Sequence, residues 1–199
     1  MSHHVYNTTG LILDKIAAGE TSDFVYVFTR DLGLVGAHAQ GTRSMKSKIR
    51  YAIDAPARST VSLVRGKNKW RLISAVPEKS YFATFRNDPE KQKLCAQTLY
   101  LIKKLLAGED PNQELFQIVN DGLDFLDTGI STDIPDQIRN FEAILILRIL
   151  HILGYIPETE TLKPFYMSID WDVELVMSLA PVRKEAVRVI NDSLQATGL

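Results

Sequence analysis

The hydrophobic period of the chain changes once, at Asn87-Asp88-Pro89, and that change restricts it to strands first and helices after. Up to about residue 82, short β-rich runs alternate with turn residues. The spacing predicts strands over Gly10 to Ile16, Phe24 to Arg30, Leu34 to Thr42, Arg58 to Arg65 and Trp70 to Val76. Asp31-Leu32-Gly33 and Gly66-Lys67-Asn68-Lys69 supply tight turns. Five strands with their longest connection, Arg43 to Ala57, between the third and fourth match a small closed barrel of OB type. After Pro89 the apolar residues recur at helical spacing. Leu94, Thr98-Leu99, Ile102 and Leu105-Leu106 mark one face, and Leu115, Ile118-Val119, Leu123 and Leu126 another. Asp136 to Leu153 is apolar nearly all round, the pattern of a central bundle helix, and Val173 to Leu179 and Pro181 to Leu194 close the chain. The expectation is an α+β protein: an OB-fold barrel over residues 1–82 and a helical bundle over 83–199.

Charge divides at nearly the same place. Residues 1–85 carry 12 Lys and Arg against 6 Asp and Glu, a net of +6, while 86–199 carry 11 against 18, a net of −7. The overall charge of −1 therefore hides a local field. Arg43, Lys46, Lys48, Arg50, Arg58, Arg65, Lys67, Lys69 and Arg71 form a basic arc interrupted only by Asp54. Screening over about 8 Å at physiological salt uncouples this arc from the acidic half, so it attracts polyanions regardless of the net charge.

With 45% hydrophobic and 24% charged residues, the 199-residue chain is too apolar for a disordered tail and too polar for a membrane protein. Its most apolar run, Ala143 to Leu153, is interrupted by Arg148 and His151 and is far shorter than the roughly 20 residues of a spanning helix. The first residues lack the apolar core of a secretory leader. Cys95 is the only cysteine, which excludes an internal disulfide and a zinc site built from paired thiolates. A soluble protein of a reducing, cytoplasmic compartment, with no cofactor or metal, is expected.

Catalytic patterns are sparse. His3, His4, His38 and His151 have no metal-ligand spacing, and neither a phosphate loop nor a GxSxG elbow is present. Gly19-Glu20-Thr21-Ser22-Asp23 reads as a polar loop between the first two strands. The basic arc is more informative because aromatics accompany it: Tyr51 follows Arg50, Trp70 precedes Arg71, and Tyr26 and Phe28 share the second strand. Cations neutralise phosphates and aromatic faces stack on unpaired bases, the combination single-strand binders use. The alternative is that these aromatics fill the barrel. Residues 70 and 71 point to opposite faces of a strand, so Trp70 inside with Arg71 outside is compatible with the pattern.

The order of motifs resembles the RecO family, the recombination mediators of bacterial DNA repair. The likeness runs through Gly19-Glu20-Thr21-Ser22-Asp23, Val27-Phe28-Thr29-Arg30-Asp31-Leu32-Gly33-Leu34, Ala39-Gln40-Gly41-Thr42-Arg43 and the basic loop Ser44 to Lys48. It continues through Val64-Arg65-Gly66, Pro111-Asn112-Gln113-Glu114-Leu115-Phe116, Arg139-Asn140-Phe141-Glu142 and Leu153-Gly154-Tyr155, covering about residues 8–156 in order.

The resemblance implies a non-enzymatic, nucleoid-associated protein that binds single- and double-stranded DNA and anneals complementary strands. It also implies work with RecR to load RecA onto DNA covered by single-stranded DNA-binding protein (SSB). Arg43, Lys46, Lys48 and Arg50 fall where the family has DNA-facing cations, and Lys67 and Lys69 lie in the loop between strands four and five, with Arg65 and Arg71 beside it. Arg139 occupies the family's basic position on the central helix, where the acidic, apolar-ended SSB tail is received. An intrahelical pair of Arg139 with Glu142 is the alternative use of that side chain. One departure is large: many family members carry a four-cysteine zinc module after Leu-Gly-Tyr, whereas Tyr155-Ile156-Pro157 leads to Lys163-Pro164-Phe165 without a cysteine. The rival expectation is an interaction scaffold whose OB barrel binds no DNA.

Overall fold

The structure, a computed structural model, describes residues 4–44, 47–67 and 69–198. It forms two compact units, Met1–Asn87 with Cys95–Gln113 and Asp88–Leu94 with Glu114–Leu199.

The first unit is a closed barrel of five strands: β1 (Val5–Ala17), β2 (Asp23–Thr29), β3 (Gly33–Ala39), β4 (Ala57–Arg65) and β5 (Trp70–Ser80), in the order β1-β2-β3-β5-β4. The expected OB topology is present. All pairs are antiparallel except β3 with β5, where Ala37, His38 and Ala39 face Trp70, Arg71 and Leu72. β1 closes the ring because it is long enough to pair twice. Its first half, Val5 to Ile12, lies on β4, and Gly10 to Ala17 lies on β2, with a register shift between Ile12 and Asp14 that bends the strand. Gly10 sits where the halves overlap, and a Cβ there would collide with Val27 Cγ1.

Alternation along β3 and the first five residues of β2 turns Val25, Val27, Val35, Ala37 and Ala39 inward against Val61, Leu63 and Leu72. The connection from β3 to β4 holds turns rather than a helix in its described residues. The amides of Ala52 and Ile53 both donate to the Ile49 carbonyl, and the two fully buried side chains join the barrel core. Burying such an aliphatic side chain contributes about 1.5–3 kcal/mol. Residues 95–113 are tied to the barrel by polar bonds: Leu34 N donates to Gly108 O at 3.0 Å, and Lys103 Nζ meets Asp14 Oδ2 at 2.7 Å.

Among the described residues seven α-helices follow the strands: α1 (Tyr81–Thr84), α2 (Pro89–Leu105), α3 (Gln113–Thr128), α4 (Gln137–Ile152), α5 (Lys163–Met167), α6 (Val173–Ser178) and α7 (Arg183–Ala196). In the second unit α4 is the central helix, with α5, α6 and α7 packed on it. Its buried Arg148 donates to the carbonyls of Phe165 at 2.9 Å, Ile169 at 3.5 Å and Asp170 at 2.8 Å, and lies 4.0 Å from the Trp171 ring centroid. One guanidinium thus satisfies a carbonyl of α5 and two of the segment after it. Burial pushes its pKa down to about 10, opposed by Asp170 and Asp172, so it remains charged at neutral pH.

Candidate nucleic-acid interface

Strand pairing builds one row of outward side chains. β2–β3 register sets Phe24 beside His38, and β3–β5 register sets His38 beside Arg71. The Phe24 and His38 rings meet edge to face at 5.1 Å. Two recesses flank this row and share Lys69. One is lined by Phe24, Gly36, Arg65 and Lys67, the other by His38, Gln40, Arg71 and Ile73. The β4–β5 turn that carries Lys67 and Lys69 is closed by Gly66 N donating to Lys69 O at 2.9 Å.

The cations of the arc fall into two sets. Arg58 pairs with Glu78 at 3.2 Å and Arg65 with Glu109 at 3.2 Å. Arg43 NH1 donates to the Gly19 carbonyl at 2.9 Å and its amide to Thr21 O at 3.1 Å, so this side chain fastens the β1–β2 loop. Thr42 Oγ1 donating to Asp23 Oδ2 at 2.7 Å, both buried, reinforces the junction. Lys48, Arg50, Lys67, Lys69 and Arg71 are exposed and make no ion pair with a described residue. Lys46 lies outside the described residues.

The aromatics sort differently from their sequence order. Trp70 is buried, donates Nε1 to Glu109 Oε1 at 2.8 Å and meets Tyr6 edge to face at 5.3 Å. Phe28 is fully buried, and the Tyr26 ring is covered by the Lys103 ammonium at 4.1 Å. Tyr51 is 76% exposed. Phe24, half-buried, is the aromatic that sequence reading missed. It shares the outward parity of Tyr26, but only the register places it beside the β4–β5 turn.

A second polar-apolar feature lies on the helical unit. Arg139, Glu142 and Arg183 border a groove floored by Ala143, Ile146, Val187 and Ile190. Arg139 pairs with Asp136 at 3.6 Å, and Asp136 also holds Arg183 at 2.7 Å. The salt-bridge partner of Arg139 is therefore Asp136, and not Glu142, the partner in the alternative reading. Burial pushes the Glu142 carboxyl up, with Lys93 opposing it. Arg183 was not singled out in the sequence because 44 positions separate it from Arg139.

Cys95 is buried, and burial pushes its thiol up to about 12, against a smaller opposing effect of Lys79. Among the described residues no group of three His, Cys, Asp or Glu is placed to hold a metal, and no helix is long and apolar enough to cross a membrane.

A closed ring of this strand order defines an OB-fold protein, a class whose strand 2–3 face and adjoining loops bind oligonucleotides or oligosaccharides. Here that face is followed by a helical unit. A family model described as Recombination protein O N terminal matches residues 1–81. The DNA repair protein RecO of Thermodesulfovibrio yellowstonii is 27% identical over 77% of this chain and 59% of its own length. RecO proteins of an Exiguobacterium species and of Dehalococcoides mccartyi are 26% and 28% identical over 75% and 78% of this chain, and 57% and 58% of theirs. The first 81 residues thus match the RecO amino-terminal family model, and about three quarters of the chain is similar to RecO proteins. It spans less than two thirds of the length of these relatives.

Proposed function

We propose that this chain acts in DNA repair and recombination by binding DNA on its OB barrel. The observation that carries the reading is the group of exposed, unpaired cations Lys67, Lys69 and Arg71 beside the Phe24–His38 row. Phosphates of single- or double-stranded DNA release counterions on meeting such cations, whatever the sequence. Lys48 and Arg50 extend the basic surface along the β3–β4 connection. Arg43 and Arg65 position the β1–β2 loop and the start of the β4–β5 turn.

In this reading the protein is a binding mediator rather than an enzyme: it anneals complementary strands and, with RecR, helps load RecA onto SSB-coated DNA. The groove between α4 and α7 suits the SSB tail, whose carboxylates would meet Arg139 and Arg183 while its apolar end lies on Ile146, Val187 and Ile190. Similarity to RecO proteins supports the repair role, and the charge distribution supports the polyanion partner. The test is fluorescence anisotropy with labelled oligo-dT and a duplex, titrated in low and high salt. Binding to both that weakens steeply with salt is expected; no binding at low salt would leave the scaffold reading.

A further inference from the structure

A cationic face holds paired and unpaired DNA alike, so discrimination between them needs a group that acts on the bases themselves. An aromatic ring at the surface is such a group, because a base in a duplex has both faces stacked already. Among the aromatics of the barrel, Trp70 and Phe28 are buried, and Tyr26 lies under Lys103. Phe24 differs. Its ring meets Tyr26 at 5.2 Å and His38 at 5.1 Å in edge-to-face pairs that brace it, and its far end reaches diagonally to Gly36. A Cβ on Gly36 would lie 2.7 Å from Phe24 Cζ, so the absent side chain is what gives the ring its place. The same recess carries Lys67 and Lys69, so a nucleotide whose base lay on Phe24 would have cations beside its phosphate.

We propose that Phe24 is the platform on which this face stacks one unpaired base, and that it gives the site its preference for unpaired over paired DNA. The inference rests on the DNA-binding reading above and adds the selecting residue. Tyr51 is the competitor. It is exposed but belongs to the β3–β4 connection, and ordering an unbraced side chain costs binding energy that a braced ring does not incur.

The test uses the full chain and three labelled ligands of about 12 nucleotides, within the span an OB fold accommodates. These are oligo-dT, a strand of abasic residues and a duplex. The wild type is expected to bind oligo-dT about 5- to 150-fold more tightly than the abasic strand, the range that stacking of one base gives. Phe24→Ala and Phe24→Leu should abolish that preference while leaving abasic and duplex affinity within twofold, and Phe24→Trp should restore it. Leucine still covers Gly36, so this variant separates stacking from structural cover. Loss of affinity for all three ligands together in Phe24→Leu, or a preference that survives Phe24→Leu and disappears in Tyr51→Ala, would overturn the assignment. A wild type that binds all three equally refutes Phe24 alone, whereas one that binds none refutes the DNA-binding reading as well.

Discussion

The indole of Trp70 donates to one oxygen of Glu109 at 2.8 Å, while the other oxygen lies 3.2 Å from Arg65 NH2. One carboxylate thus anchors the first residue of β5 and neutralises the last residue of β4, and it stands in the recess that Lys67 and Lys69 line. Glu109 therefore opposes an incoming phosphate. Glu109→Gln keeps an acceptor for the indole and removes the charge. Affinity for oligo-dT is expected to rise about two- to fivefold at low salt, the scale of a partly exposed charge pair, and the gain should fade at high salt. An unchanged affinity at low salt would mean that phosphate does not approach this recess.

Gly36→Ala tests the ring placement from the opposite strand. The added methyl has to displace the Phe24 ring, so the preference for oligo-dT over an abasic strand should fall as it does in Phe24→Ala, with duplex affinity unchanged. Circular dichroism establishes that the barrel persists. A retained preference would show that the ring position is immaterial to binding.

On the helical unit, Arg139 is 75% exposed at its side chain, and its Asp136 contact is long, whereas Arg183 is held at 2.7 Å by Asp136 and at 3.2 Å by Asn140. Arg139→Ala should leave the melting temperature unchanged and weaken binding of a fluorescent SSB-tail peptide about tenfold, the scale of one charge-assisted contact. Arg183→Ala should weaken the peptide and lower the melting temperature together. Equal peptide affinity for wild type and Arg139→Ala would remove the groove as the tail site.

Asp31 carries an acid-dependent contribution to the barrel. Its carboxylate accepts from Thr8 Oγ1 at 2.6 Å, from Arg30, and from Gln113 at 3.3 Å, and the Thr8 bond leads in holding its pKa below the usual 3.8. A carboxylate with a lowered folded pKa adds stability above its unfolded value, and loses it as pH falls through the folded one. Asp31→Asn is therefore expected to melt below the wild type at neutral pH. The two curves should converge as pH drops from about 3.8 through the lowered value. A gap that is independent of pH would assign the effect to side-chain shape rather than charge.

Much of this architecture is legible in the sequence because side-chain parity and period are local properties. The β-rich runs between turn residues mark the five strands, and the apolar run of α4 marks the central helix. The polar start of β1, Tyr6-Asn7-Thr8-Thr9, conceals a strand that pairs β4 across more than 50 positions. Arg148 reads as a break in an apolar run, yet its buried charge is compensated by carbonyls more than 15 residues away. The basic arc is visible as composition, but Arg43 and Arg65 are diverted to Gly19 and Glu109 by contacts that no linear pattern encodes. Phe24 becomes a candidate only when the parallel β3–β5 pairing brings Arg71 into its row.

The central claim is that the cations of the β4–β5 turn and the start of β5 hold phosphates, and its most direct measurement is the salt dependence of oligo-dT affinity for the wild type and for the triple variant Lys67→Ala, Lys69→Ala, Arg71→Ala. Each phosphate contact on a single strand contributes about 0.7 to the slope of log affinity against log salt, so loss of three should flatten it by about 2 and weaken binding at every salt concentration. A triple variant with wild-type circular dichroism, wild-type affinity and wild-type slope would contradict the account.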